Sequence, residues 1–479
     1  MLRDAAPEDW RDYLIKAHDA ELLQLNLLNA YYEGTQPLSY LAPELLAELN
    51  ERMRQVVINW PQLVVDSLEE RLDVEGFRYA RAEQTADDIW DMWQANDLDE
   101  GSQQGHVDSI ALGRAYTITG PDEADDDMPV ITVESPLDVF TAADPRTRHT
   151  AAGIKRWEEP GFAGEQPTKY TNLYLPNARF TYVRVKGKWQ EDTDLRWEHN
   201  LGDALVQVLA NRPRIKRPLG TSEMSSVLPL SDAANKQASD MMVAAEYHAM
   251  PRRWATGMAR EDFADADGNP LGSFSALAGR LWVNESTDVK FGQFPEASLT
   301  NFHDSIRLLA QLVASLSGLP PAYLGLTTDN PPSADGIRSA ETRLVKRAER
   351  RQRGLGGPWE RTMRSALRVR DGEVSPEARR LETVWRDPAT PTYAQKADAV
   401  VKLHGAGLLP TEQAWEDLGY SAEQRSRMRR MQQDALDRAM GDDYAAGYGP
   451  KPPADGPEPA PGPAPDGPAP AADPQPAAA

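Results

Sequence analysis

The sequence predicts an α+β protein, because helical periodicity occupies both ends of the chain and strand-like alternation separates them. Near the start, Leu14, His18, Leu22, Leu25, Leu28 and Tyr32 share one helical stripe, which Gly34 ends. From Ala115 to Trp197 the apolar period shifts toward two. Beyond Ser222 helical spacing returns, most sharply in Leu299, Phe302, Ile306, Leu309, Val313 and Leu316. Strands grouped between helical segments are the pattern of the α+β class.

Taken in order, the elements follow from local signals. Pro43 suits the first turn of a helix reaching about Ile58, and Pro61 opens another behind Asn59 and Trp60. Val74–Tyr79 reads as a short strand, and Thr85 can cap a helix carrying Ile89, Trp90 and Trp93. Residues 116–119 and 130–133 flank an acidic connector, Asp122 to Asp127, as in a hairpin. Residues 170–175 and 180–185 have strand composition, and Lys186-Gly187 offers a turn before Trp189. After Ser222, Ala234, Ala238, Met241, Ala245 and Ala249 form one helix face of mostly small residues until Pro251, which allows close helix approach. Residues 253–257 and 280–283 read as short strands around a loop containing Asp265, Asp267 and Gly268.

The later helix has spacings of 3, 4, 3, 4 and 3 between its apolar residues. That 3.5-residue period keeps a narrow seam facing one partner. Gly318 supplies its stop, and Pro320 and Pro321 forbid continuation. Ser333 can cap a further helix, with Asp335 in its favourable first turn. This helix is expected to break at residues 354–358, Gly-Leu-Gly-Gly-Pro, and to resume at Trp359. Thr392 with Gln395, and Ser421 with Gln424, match capping boxes, and Thr411 is a candidate N-cap, giving three short helices. Beyond about Gly441 the chain is Pro, Ala, Gly and Asp; it lacks apolar bulk to offset ordering entropy and is expected to be disordered.

Composition narrows the chemistry. A chain of 479 residues suggests about three domains of ordinary size. The first ten residues carry charges where a signal peptide needs an apolar core, and no run approaches the ~20 apolar residues of a membrane span, so a soluble, non-exported, membrane-free protein is expected. The absence of cysteine excludes disulfide frameworks, thiolate catalysis and cysteine-ligated metals. A net charge of −22 disfavours a simple nucleic-acid clamp, which gains affinity from clustered cations. One stretch opposes that trend: residues 338–370 hold eleven Lys and Arg against three Asp and Glu. A solvated or subunit-paired helix face accounts for it more readily than DNA contact.

No G-x-x-x-x-G-K-[ST] occurs, so a P-loop ATPase is unsupported. The Asp265–Gly268 segment lacks the first and last ligands of a calcium loop, where Phe263 and Phe274 stand, and reads as a turn. The seven histidines show no metal-binding spacing, and no Gly-x-Ser-x-Gly elbow is present. Catalytic residues, cofactors and metal ligands are therefore expected to be absent, and the chain is read as a non-enzyme. A nuclease whose metal ligands are dispersed in sequence is the alternative left open.

Six segments, in this order, resemble the portal proteins of tailed bacteriophages, of the Bacillus phage portal-like family common in actinobacteriophages. They are YYEGTQPL (31–38), NWPQLVVDSLEERLDVEGFR (59–78), DPRT (144–147), SEMSSVLPLSDAANKQ (222–237), SGLPPAYLG (317–325) and NPPSADGIRSAE (330–341). The resemblance implies a twelve-subunit ring at one capsid vertex, through which double-stranded DNA is packaged and ejected. It implies a wing at 1–221, stem helices at 222–250 and 293–318, a clip at 251–292 and a tunnel loop at 319–335. A long interrupted helix at 336–371, a crown at 372–440 and a tail at 441–479 would follow. Leu299, Phe302, Ile306, Leu309, Val313 and Leu316 would be the stem seam. Leu324, Leu326, Thr327, Thr328 and Asp329 would meet DNA, and Trp254, Asp265, Asp267 and Trp282 in the clip would dock partners. Those partners would be the terminase large subunit and a head–tail adaptor, with the major capsid protein and a scaffold around the ring. The protein would reside in the virion after assembly in the host cytoplasm. The alternatives are another head protein, either a scaffold or an adaptor ring, and a packaging ATPase-nuclease. Twelve Trp and a β-rich segment disfavour a scaffold, the chain length an adaptor, and the missing P-loop the motor.

Overall fold

The computed structural model describes residues 5–37, 56–79, 86–122, 124–125, 127–161, 166–249, 253–256, 290–293, 299–326, 333–389, 393–420 and 422–448. The chain divides into two compact units, 1–389 and 390–479. Among the described residues no helix is long and apolar enough to cross a membrane.

In the first unit, α1 (Pro7–Tyr32) opens on Pro7 with Glu8 and Asp9 in its first turn, where they complement the helix dipole. Its stripe of Trp10 and Leu14 packs on Phe140, Ile154, Leu173, Phe180 and Tyr182 of a five-stranded sheet. His18, fully buried on the same stripe, donates from Nε2 to the Pro136 carbonyl at 3.0 Å. That sheet is an antiparallel meander: β4 (Val139–Ala143), β5 (Thr150–Glu159), β6 (Thr168–Leu175), β7 (Ala178–Val185) and β8 (Lys188–Glu198). A three-stranded sheet lies beside it, with β2 (Arg114–Gly120) between β3 (Val130–Glu134) and β9 (Val206–Ala210). The expected hairpin is present, pairing Thr117 with Val133.

The main core gathers α2 (Trp60–Glu69), β1 (Val74–Tyr79), α3 (Asp87–Ala95) and α4 (Leu98–Leu112) around the long C-terminal helix of this unit. The Asn59 side chain caps α2 by accepting from the Gln62 N–H at 3.3 Å. The cap of α3 is Ala86, which offers no side-chain bond; Thr85 lies outside the described residues. Helix α4 has no apolar stripe to betray it. Its buried face is Ser102, Gly105, His106 and Ser109 as much as Leu98 and Ile110. At Gly105 a Cβ would lie 2.7 Å from Val133, so glycine is what lets α4 sit on the sheet.

After a 3-10 turn, Glu223–Ser226, α5 (Leu228–Ala249) packs against α6 (Thr300–Ser317). Between them the described backbone shows β10 (Arg253–Thr256) paired with β11 (Lys290–Gln293); the expected strand at 280–283 lies outside the described residues.

Helix α7 runs unbroken over Ala334–Asp371, with Pro358 inside it, which corrects the expected interruption. Ser333 caps it as predicted, accepting from the Gly336 N–H at 3.2 Å. The Gly-rich run serves packing rather than termination. A Cβ on Gly356 would sit 3.3 Å from the Trp385 indole nitrogen, so its absence lets α7 approach the neighbouring strand. Proline in a helix interior costs roughly 3 kcal/mol. Burial of Leu355, Trp359 and Met363, each contributing about 1.5–3 kcal/mol, exceeds that cost.

The strand that α7 meets is β12 (Leu381–Trp385), which pairs antiparallel with β1, Phe77 opposite Thr383. This ladder binds residues 381–385 to the first unit, and the division falls at Ala389, later than the crown boundary read at 372. Trp93 lies at the centre of the core. Its ring centroid is 4.9 Å from Trp359 at 67° and 5.5 Å from Phe77 at 61°, both edge-to-face.

The second unit holds α8 (Tyr393–Gly405), α9 (Thr411–Asp417) and α10 (Ala422–Tyr448). Arg425 to Glu416 at 2.7 Å and Arg429 to Glu412 at 2.6 Å link α10 to α9. Pro410, not Thr411, holds the cap position of α9. Thr392 and Ser421 lie outside the described residues, and so does everything from 449 onward. Helix α10 continues past the tail boundary read at 441, since Ala445 and Ala446 favour helix where Gly441 alone suggested an end.

Candidate functional site

The candidate site is the α6–α7 junction with the helix pair beneath it. On α6, Phe302, Ile306 and Leu309 are half-buried and Val313 is fully buried. Ala310, Ala314 and Ser317 complete this inward face, small residues that a search for bulky apolar periodicity passes over. On α5 the facing small residues Ala234 and Ala238 are buried. Leu299 is the half-buried cap of α6. Leu316 falls elsewhere: it is 51% exposed and follows Leu308 (57%) and Leu312 (43%) at spacings of four. Helix α6 thus carries two apolar stripes, one covered within the chain and one open.

The helix stops where the sequence says it should. Gly318 takes φ 74° and its N–H bonds the Ala314 carbonyl at 2.9 Å. Arg343 of α7 reaches back to the Ser315 carbonyl at 2.5 Å, satisfying an end-of-helix acceptor. A Cβ on Gly318 would lie 3.0 Å from that arginine, a second reason for glycine there.

Beyond Gly318, Leu319 is buried in the main core, and Pro321–Leu324 forms a 3-10 turn closed by the Leu326 N–H on the Pro321 carbonyl at 3.2 Å. Leu324 and Leu326 are half-buried against the core. Tyr323 donates to Glu341 at 3.1 Å and accepts from Arg71 at 3.3 Å, while Arg71 and Glu341 stand 3.5 Å apart. Residues 319–326 are therefore a fixed base, tied to α7 on one side and to the α2–β1 corner on the other. Thr327, Thr328 and Asp329 lie outside the described residues. So do Asp265, Asp267 and Trp282; Trp254 is on β10, paired with Gly292.

About half of the basic residues of α7 are ion-paired inside the chain. The fully buried Glu223 accepts from Arg351 Nε at 2.9 Å, from Arg347 at 2.7 Å and from Arg212 at 3.2 Å. Burial alone would raise this carboxyl, but Arg351 and Arg347 outweigh burial and hold it below the usual carboxylate range. Arg368 pairs with Asp203, Lys346 with Glu349 at 2.8 Å, and Arg370 with Asp371 at 2.8 Å. Sequence reasoning missed Glu223, because one carboxylate in Ser-Glu-Met-Ser-Ser carries no sign that three arginines converge on it. Among the described residues no group of His, Asp and Glu is arranged to hold a metal ion.

The profile of the family described as phage portal protein, SPP1 Gp6-like, matches residues 11–438. The portal protein of Mycobacterium phage D29 is 37% identical over 451 residues, covering 91% of this chain and 90% of that protein. The portal protein of Mycobacterium phage L5 is 36% identical over 442 residues, covering 90% and 89%. A chain from the neck of an empty GTA particle aligns over 80% of this chain and 95% of its own, at 14% identity and a TM-score of 0.45. With a profile match across both units and two relatives above 30% identity along nine-tenths of their length, the chain belongs to the phage portal protein family.

Proposed function

We propose that copies of this chain form a ring at one capsid vertex, the channel through which double-stranded DNA enters during packaging and leaves on infection. The open stripe of Leu308, Leu312 and Leu316 carries this reading. Three leucines in register on a helix already packed on its other face are an unfavourable surface for a monomer and a suitable one for a neighbouring subunit. The α5–α6 pair acts as the stem, and residues 319–335 act as the tunnel loop that meets the DNA. The 251–292 segment, between the stem helices in sequence, docks the terminase large subunit and later a head–tail adaptor. Assembly with the major capsid protein, and with scaffold where one exists, begins in the host cytoplasm and ends in the virion. The role is structural, without catalysis or cofactor.

Replacing Leu312 by Asp tests the reading. Light scattering, with co-expressed capsid components as a control, should show rings for the wild type and smaller species for the variant. Equal assembly of the two would remove the stripe from the interface.

A further inference from the structure

Arg361, Arg364 and Arg368 follow one another on one face of α7 and line a cavity of about 720 Å³, open on one side. Thr147 and His149, from the turn between β4 and β5, stand in its wall, and Trp10 and Leu175 add an apolar surface. The three guanidinium groups are unequally compensated. Arg368 is paired with Asp203, whose carboxylate also accepts from the Ser365 hydroxyl at 3.1 Å. Among the described residues Arg364 is ion-paired with Glu360, at 3.9 Å. Arg361 makes no ion pair or hydrogen bond with any described residue. The other wall carboxylate, Asp144, accepts through Oδ1 from the backbone N–H groups of Arg146 at 2.7 Å and Thr147 at 3.1 Å.

A half-buried guanidinium without a close partner is costly, and Arg361 feels Glu360 and Asp203 only at a distance, with no hydrogen bond to either. Burial and then the neighbouring Arg364 push the Arg361 guanidinium below its usual value, against the weaker pull of Glu360 and Asp203; burial does the same to Arg364, against Glu360. Two rigid forks of donors therefore project from successive turns with no described carboxylate in hydrogen-bond contact to saturate them. A phosphate group suits that arrangement better than a carboxylate. Its tetrahedral oxygens can be met by two forks from different directions, whereas a planar carboxylate saturates one.

We infer that this cavity binds a phosphate-bearing ligand, held by Arg361 and Arg364, with Arg368 kept in place by Asp203. The phosphate can come from a small molecule or from a nucleic-acid strand, and the test separates the two. Calorimetry on the full chain at fixed ionic strength would use inorganic phosphate, acetate and a short single-stranded oligonucleotide as probes. Wild type and the exposed-site control Arg350→Gln should bind phosphate. Arg361→Gln and Arg364→Gln should each lose about tenfold or more in affinity, the scale of a lost charge-assisted hydrogen bond. Should either variant fold poorly, Thr147→Glu supplies a carboxylate to the wall instead, and phosphate binding should fall while the arginines remain. Competition between phosphate and the oligonucleotide supports the site with a strand as the source; phosphate binding without competition supports it with a small molecule. No phosphate binding, an equal response to acetate, or binding that survives all three variants overturns it.

Discussion

The indole N–H of Trp359 donates to Nε2 of His106 at 2.9 Å, with both side chains fully out of solvent. That bond requires the imidazole to be neutral at Nε2. Burial enforces the same state, lowering the His106 pKa to about 3 against a partial opposing contribution from the Leu72 backbone. In the unfolded chain the same group titrates near 6.5. Unfolding therefore takes up a proton throughout the interval between the two values, and stability must fall as pH drops from about 6.5 toward 3.

The expected slope from this residue is up to about 1.4 kcal/mol per pH unit in that interval. Chemical denaturation at a series of pH values, compared between wild type and His106→Gln, measures it. The variant should be less stable at pH 7 and less steep below 6.5. Parallel pH profiles would show that His106 does not control the acid side.

Glu223 gives a second acid-sensitive contribution in a lower window. Its carboxyl is depressed in the fold, so its stabilisation is present above the unfolded value near 4.3 and is lost as pH falls through the folded one. Glu223→Ala leaves Arg347 and Arg351 facing each other without their anion and should cost about 3–5 kcal/mol. A loss below about 1 kcal/mol by denaturant titration would mean that the arginines find other partners.

Two glycines should respond oppositely to alanine. Gly354 is helical and exposed, with open space where a Cβ would go, so Gly354→Ala should add about 0.5–1 kcal/mol. Gly220 has φ 84°, and a Cβ there would lie 2.2 Å from the Gly113 carbonyl oxygen. Gly220→Ala should therefore reduce soluble yield and lower the melting temperature. Melting curves for the pair decide both.

Deleting Thr327–Asp329 should leave the base at 319–326 in place, because that base is fixed by Leu319 in the core and by the Arg71, Tyr323 and Glu341 contacts. Particles carrying the variant should assemble normally but retain less DNA, measured as nuclease-protected genome per particle. Full retention would take Thr327–Asp329 out of the DNA path.

What the sequence discloses follows from where periodicity is strong. The seam helix, the stop at Gly318 and the Ser333 cap each rest on residue types with one dominant structural use, and the structure has them. Helix α4 was hidden because its buried face uses Gly105, His106 and Ser109, which carry no hydrophobic signal. Strand β12 was hidden because its partner β1 is about 300 residues away and local pattern cannot report pairing at that distance. The unbroken course of α7 defied a sound local rule, as packing of Trp359 and the close approach to Trp385 override the proline. At the candidate site, the bulky half of the α6 seam was legible, whereas the exposure of Leu316 depends on which face α5 covers.

Imaging tests the central proposal most directly. Electron micrographs of the purified protein, alone and co-expressed with capsid components, should show closed rings with a central hole wide enough for duplex DNA, and class averages should give their symmetry. Monomers or open aggregates under every condition, with no ring in any class, would contradict the account.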